Sequence, residues 1–268
     1  MVKREEARVN KEAGLRKPWT DDPVIQQYRF CNVRRMDDKV SKWLLRYWYP
    51  RSGKPADFVI AAALARLINW PDTLAFISGG KRFAGWDPKR TLNALDLYKS
   101  RGNKVFTGAY IINGARGGSK TKQVVDNIDT LAEDAIDIVV PYSMEETFEN
   151  LQGYPGLGSF MAGQIVADLR WTKAMREPSD RLEWAPIGPG SRRGMRRLLG
   201  KPAQGSMTQK EFAPLLHNLV SHFADVQQRI FNDRQLEAMD VQNCLCEFDK
   251  YSRVLNGEGT PRSRYPGV

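Results

Sequence analysis

Apolar residues recur at helical spacing along most of the chain, and strands nowhere alternate with helices. Val33, Met36, Val40 and Leu44 stand three and four apart, which predicts one buried helical face in a pattern beginning at Pro23. The most apolar run, Asp57 to Ile68 (DFVIAAALARLI), is about half a membrane span and carries Arg66, so it reads as a buried helix. Further helices are expected through Leu92–Tyr98, through Val124, Val125, Ile128 and Leu131, and around Glu145–Leu151. Pro178 to Gly190 is irregular, and two more helices follow at roughly Gln209–Asn232 and Gln235–Leu255. The fold class is mostly α. A basic arm over 1–22, one helical domain over 23–256 and a polar tail over 257–268 complete the expected organisation.

Within this pattern one stretch is unusual: LQGYPGLGSFMAGQIVADLRW, from residue 151, sets a Gly-X-Gly turn between two helices. Leu151, Leu157, Phe160, Ile165 and Leu169 are placed to close the helices on each other. Gly156 and Gly158 permit a tight turn, and Ser159 is placed to cap the second helix. Backbone N–H groups at such a turn suit a DNA phosphate, the pattern of a helix-hairpin-helix over 145–171. An ordinary helix–helix turn also fits. Charge changes the balance: 41 Lys+Arg against 31 Asp+Glu give +10, and a strongly basic chain often meets a polyanion. Lys120, in a Gly-rich basic loop, is a further candidate DNA contact.

Three cysteines with no framework spacing fit a reducing compartment. His217 and His222 without any Cys-x-x-Cys give no metal signature, so acid–base work falls to carboxylates or lysine. The charged N-terminus has no signal-peptide character, and a soluble intracellular protein is expected, with no membrane partner.

Three clusters remain. IGPGSRRGMRR places Gly190 and Ser191 at a helix start with Arg192 and Arg193 behind them, a phosphate cradle or a DNA-backbone contact. Asn32, Arg35 and Asp38 fall at i, i+3 and i+6 in RFCNVRRMDDKVSKWL. Asp240, Glu247 and Lys250 share one side of a helix in MDVQNCLCEFDKYSR; a solvated salt-bridged face is the commoner explanation for either cluster.

The turn YPGLG resembles the L-P-G-V-G of helix-hairpin-helix DNA glycosylases, but Gly190 or Ser191 stands where their catalytic Asp should open the next helix. Taken in order, RFCNVRRMDDKVSKWL, VFTGAYII, YPGLGSFMAGQIVADL, PIGPGSRRG and LCEFDKY resemble the α-glutamyl/putrescinyl-thymine pyrophosphorylase family over roughly residues 20 to 255. These are glycosylase-like amino acid:DNA transferases of bacteriophages. The resemblance implies a double-stranded phage DNA substrate, a partner 5-hydroxymethyluracil DNA kinase, the host cytoplasm, and no cofactor. Glycine or serine would displace phosphate from a flipped 5-phosphomethyl-uracil. Asp38 or Glu247 would act as base and Arg35 or Lys250 would hold the amino acid carboxylate. Asn32, Gly190, Ser191, Arg192 and Arg193 would bind substrate and phosphate. Three rivals stand beside it. One is a DNA glycosylase with another carboxylate, and another is a non-enzymatic DNA binder. The third is a P-loop kinase using Gly114–Thr121, where Ser119 replaces the second glycine and no βαβ unit supports the loop.

Overall fold

The computed structural model describes residues 1–107, 118–175, 177–230 and 235–265, without the side chains of 225–230. Part of VFTGAYII and Gly114–Gly117 therefore lie outside the described residues. The helices are α1 (Val2–Glu12), α2 (Pro23–Gln27), α3 (Lys39–Trp43), α4 (Pro55–Ile68), α5 (Pro71–Ile77), α6 (Pro88–Ser100) and α7 (Lys120–Glu133). They continue as α8 (Ala135–Ile138), α9 (Met144–Gln152), α10 (Ser159–Leu169), α11 (Pro189–Leu198), α12 (Gln209–Ile230) and α13 (Ala238–Leu255). Arg35–Asp37 is a 3-10 turn and Leu44–Trp48 a π turn. The described residues are mostly helical and contain no strand, only an isolated bridge between Tyr28 and Arg264. Five of the helices (α2, α4, α5, α6 and α11) begin with proline, whose fixed φ suits a first turn where no N–H is needed. None of the described helices is long and apolar enough to cross a membrane.

The chain divides into two compact units, one formed by Met1–Asp38 with Arg181–Val268, the other by Lys39–Asp180. In the first, α13 packs on α11, α12 and α2, with Phe212, Leu216, Met195, Val241 and Leu245 buried. Residues 1–22, expected as an arm, contain α1, which packs on α2 and buries Ala7 in a cluster with Val24, Ile25, Tyr28 and Phe30. The tail also joins this unit: Arg29 N–H donates to Ser263 O and Tyr265 N–H to Gln27 O, both at 3.1 Å. The helical face expected through Val33, Met36, Val40 and Leu44 is not one helix. The chain is extended at Tyr28 and Arg34 and again at Asp38.

In the second unit α4 is the axis, buried along every residue from Phe58 to Ile68 and packed on α10, α8, α7 and α5. A helix apolar all round must lie inside. It starts where Asp57 Oδ2 accepts the Lys54 N–H at 3.0 Å and stops at Asn69, whose φ of 49° is left-handed. Its one buried charge, Arg66, meets Asp168 of α10 through Nε and Nη2, both at 2.6 Å. Tyr49 Oη donates to the same carboxylate at 2.6 Å, and Arg66 Nη2 also donates to Ser41 Oγ at 3.2 Å. Both charges are almost wholly buried. Removing one leaves the other buried without this opposite charge, so Asp168→Ala is expected to cost ~3–5 kcal/mol in urea unfolding. The double variant Arg66→Met/Asp168→Leu should recover most of that loss; an Asp168→Ala variant as stable as the parent would show that the pair does not hold α4 to α10.

Candidate functional site

The candidate site in the first unit is built around an irregular segment, residues 28–35. Backbone donors inside a fold need partners, and α13 supplies them. Cys31 N–H donates to Glu247 Oε2 at 2.9 Å, and Arg35 N–H to Asp240 Oδ1 at 3.0 Å. Between them, Asn243 Nδ2 reaches Asn32 O at 3.5 Å, and Lys250 Nζ donates to Arg29 O at 3.1 Å. Positions 240, 243, 247 and 250 share one face of a helix, which is why a single helix meets the segment at four points. Lys250 Nζ also lies 2.6 Å from Glu247 Oε2 and 4.7 Å from the centre of the Phe30 ring. From the other side Arg4 of α1 donates through Nε to Phe30 O at 3.1 Å and Cys31 O at 3.0 Å, and through Nη2 to Asn32 Oδ1.

Helix α11 lies against α13 along a seam of small residues. A Cβ at Gly194 would fall 2.1 Å from Leu245 O, and one at Gly190 would fall 3.1 Å from Cys246 Sγ. Ser191 is fully buried; its Oγ accepts Gly188 N–H at 2.9 Å and Gln242 Nε2 at 3.2 Å. Gly190 thus serves helix contact and Ser191 serves the cap. Burial, then the neighbouring Glu247 charge, pushes the Cys246 thiol up to about 12, so it is no thiolate nucleophile at neutral pH.

The arginines of α11 separate into two kinds. Arg193 Nε and Arg197 Nε bind the buried Asp249 at 2.8 and 3.0 Å. Arg196 donates to Pro202 O and Ser206 O at 2.6 and 2.9 Å. Arg192 is different: its Nε is buried with no hydrogen-bond partner among the described residues.

In the second unit, the turn between α9 and α10 closes as the spacing expects, with Leu151, Leu157, Ile165 and Leu169 buried. Phe160 departs from that expectation and is 59% exposed. Gly156 has φ of 76°, and a Cβ there would fall 2.4 Å from Asn127 Nδ2 of α7. Gly158, not Ser159, is the N-cap of α10, and no side chain caps it; Ser159 is the first helical residue. Lys120 starts α7, about 10 Å of helix rise from Asn127, with Nζ 4.5 Å from the Phe106 ring centre. Asp180, the aspartate nearest in sequence to the position of the missing glycosylase aspartate, accepts Met144 N–H at 3.0 Å and Glu145 N–H at 2.9 Å and so caps α9.

The structure therefore brings Asn32, Glu247 and Lys250 together, while Arg35 enters through its backbone N–H. Asp38 acts on Cys31 electrostatically from the end of the 3-10 turn. Arg4, Gln242, Asn243 and Asp249 escaped the sequence reading. Arg193 and Arg197, four apart, carry a spacing that could have pointed to a shared acid; Arg4 sits in the charged run KREEAR and gave no signal. Among the described residues no three His, Cys, Asp or Glu side chains gather as a metal site.

Residues 1–260 match the protein family described as 5-hmdU DNA kinase, helical domain. A curated relative, the 5-hmdU DNA kinase of Bacillus phage SP10, is 30% identical over 210 residues, which is 68% of this chain and 32% of the relative. The chain thus spans about a third of that relative's length. No solved structure matches.

Packing at the α11–α13 seam sets a graded expectation. Gly194→Ala meets main chain that cannot rotate away and should lower stability by ~1–3 kcal/mol or more. Gly190→Ala meets a side chain and should cost less. Thermal unfolding of both variants checks the order, and equal midpoints would contradict it.

Proposed function

Because the chain belongs to the 5-hmdU DNA kinase helical-domain family, we propose that it recognises 5-hydroxymethyluracil in phage DNA and the phosphate placed on that base. Arg192 carries the reading. The other arginines of α11 are engaged by Asp249 or by carbonyls, whereas the Arg192 Nε has no partner among the described residues. A guanidinium in the first turn of a helix suits a phosphate. The α9–α10 turn supports a helix-hairpin-helix, glycosylase-like hold on the DNA backbone, through Gly156, Gly158, Ser159 and the first N–H groups of α10. The target base would be flipped out, as enzymes working on bases in duplex require.

Phosphorylation is the reaction we favour. The base's hydroxymethyl oxygen attacks the terminal phosphorus of a nucleoside triphosphate, its proton passes to Glu247, and the diphosphate leaves. This chain would supply base and phosphate recognition. Its Gly114–Thr121 stretch departs from the triphosphate loop at Ser119. A second reaction, amino acid transfer, is favoured by the Glu247–Lys250 pair, which offers a base and a cation 2.6 Å apart. There glycine or serine loses an ammonium proton to Glu247, its carboxylate sits at Lys250, and the amine attacks the methylene. The C–O bond breaks and phosphate departs toward Arg192. Asn32, Arg35, Asp38, Gly190, Ser191 and Arg193 stay in this reading as the frame around those groups.

Two incubations separate the reactions: 5-hydroxymethyluracil DNA with ATP, and 5-phosphomethyl-uracil DNA with all twenty amino acids, each followed by mass analysis of digested nucleosides. A phosphomethyl nucleoside in the first supports phosphorylation; an aminoacyl-thymidine in the second supports transfer. Binding is measured in parallel. Phosphomethyl-uracil duplex should bind at least ~tenfold more tightly than thymine duplex, and Arg192→Ala should remove that preference while Arg196→Ala keeps it. Equal binding of the two duplexes by the parent protein, with neither product formed, would sink the proposal.

A further inference from the structure

The Lys39–Asp180 unit contains a cavity of about 270 Å³ that takes no part in the site around Arg192. Its floor is Trp48, Leu64 and Phe83, all buried. At its mouth stand Lys81, Asp87 and Arg90, all exposed. The wall is tied down by the chain itself. Arg82 Nη1 donates to Tyr49 O at 2.6 Å, and Phe83 N–H donates to Trp48 O at 2.9 Å. These bonds hold the loop after α5 on the end of the Leu44–Trp48 turn, with the Trp48 and Phe83 rings 5.6 Å apart. Trp48 Nε1 is bound to Ala61 O at 2.9 Å, so the polar atom of the indole is engaged.

The chemistry is divided between the two ends. The apolar inner end suits a flat ring, which aromatic side chains accept whatever its substituents. The outer end is cationic: Lys81, Arg82 and Arg90 face one carboxylate, Asp87, whose Oδ1 already accepts the Arg90 N–H at 2.8 Å. The side chains of Lys81 and Arg90 have no hydrogen-bond or ion-pair partner among the described residues. A volume just under the ~300 Å³ where small-molecule sites begin has room for one ring and its sugar, not for a dinucleotide. We infer that this cavity binds a single nucleotide, ring toward Trp48 and Phe83 and phosphate between Lys81 and Arg90. The nucleotide is either free or one unit of a single DNA strand. This site needs no modified base and stands independently of the Arg192 reading.

Calorimetric titration of the full chain tests it with thymidine monophosphate, thymidine and a short oligothymidylate. Monophosphate binding at least ~tenfold tighter than thymidine, and lost in Lys81→Ala/Arg90→Ala, supports a free nucleotide. If monophosphate is silent, the strand arm decides. Oligothymidylate binding weakened at least ~tenfold by the same double variant and blocked by Ala84→Trp, which fills the cavity, supports a nucleotide within DNA. Binding that ignores both variants, thymidine that binds measurably and as tightly as its monophosphate, or no binding of any probe overturns the inference. The mouth residues are exposed, and circular dichroism of each variant confirms its fold.

Discussion

A stretch of backbone without a helix of its own must still find acceptors for its N–H groups, and the first unit is arranged around that need. Within 28–35, Cys31 and Arg35 obtain them from Glu247 and Asp240 of α13 and Arg29 from Ser263 of the tail, and the carbonyls are met by Arg4, Asn243 and Lys250. The side chains with the strongest chemical character here are therefore also those that shape the segment. Glu247 and Lys250 illustrate the overlap: they pair with each other and each holds one backbone group of the segment. A rigid frame is what the base site proposed above requires, since misplacement of reacting groups by about 1 Å is costly.

Carboxylates elsewhere divide in the same way. Asp168 answers Arg66, Asp180 caps α9, and Asp249 gathers Arg193 and Arg197. Each could have passed for a catalytic acid on sequence grounds, and each is occupied in holding one helix to another element or in finishing a helix end. Elimination of this kind gives Arg192 its weight among the arginines of α11, because its buried Nε has no hydrogen-bond partner among the described residues.

The helical character was legible because apolar spacing is a local signal, and proline at N1 marked one start, Pro23; the same signal at Pro55, Pro71, Pro88 and Pro189 went unread. The turn at Gly156 was legible for the same reason, as was the shared side of α13 that carries Asp240, Glu247 and Lys250. What could not be read depends on distant partners. Val33 to Leu44 has helical spacing, yet the chain at 28–35 follows α13 because pairing with its carboxylates overrides a local pattern. Phe160 has the right spacing for the core and points to solvent instead. The separation into Met1–Asp38 with Arg181–Val268 and Lys39–Asp180 is a property of contacts between residues far apart in sequence, for which spacing carries no information. Arg4 shows the same limit in a single residue: its role exists only once α1 is folded back beside Asn32.

The seam between α11 and α13 also constrains how the sequence can drift. At Gly190 the obstacle to a methyl group is the Sγ and Cβ of Cys246, so glycine at 246 would accommodate alanine at 190, and relatives could carry the two changes as a couple. At Gly194 the obstacle is the Leu245 carbonyl, which every amino acid possesses. No second-site replacement removes it, so position 194 should remain glycine in lineages that keep this helix pair and should show no covarying partner.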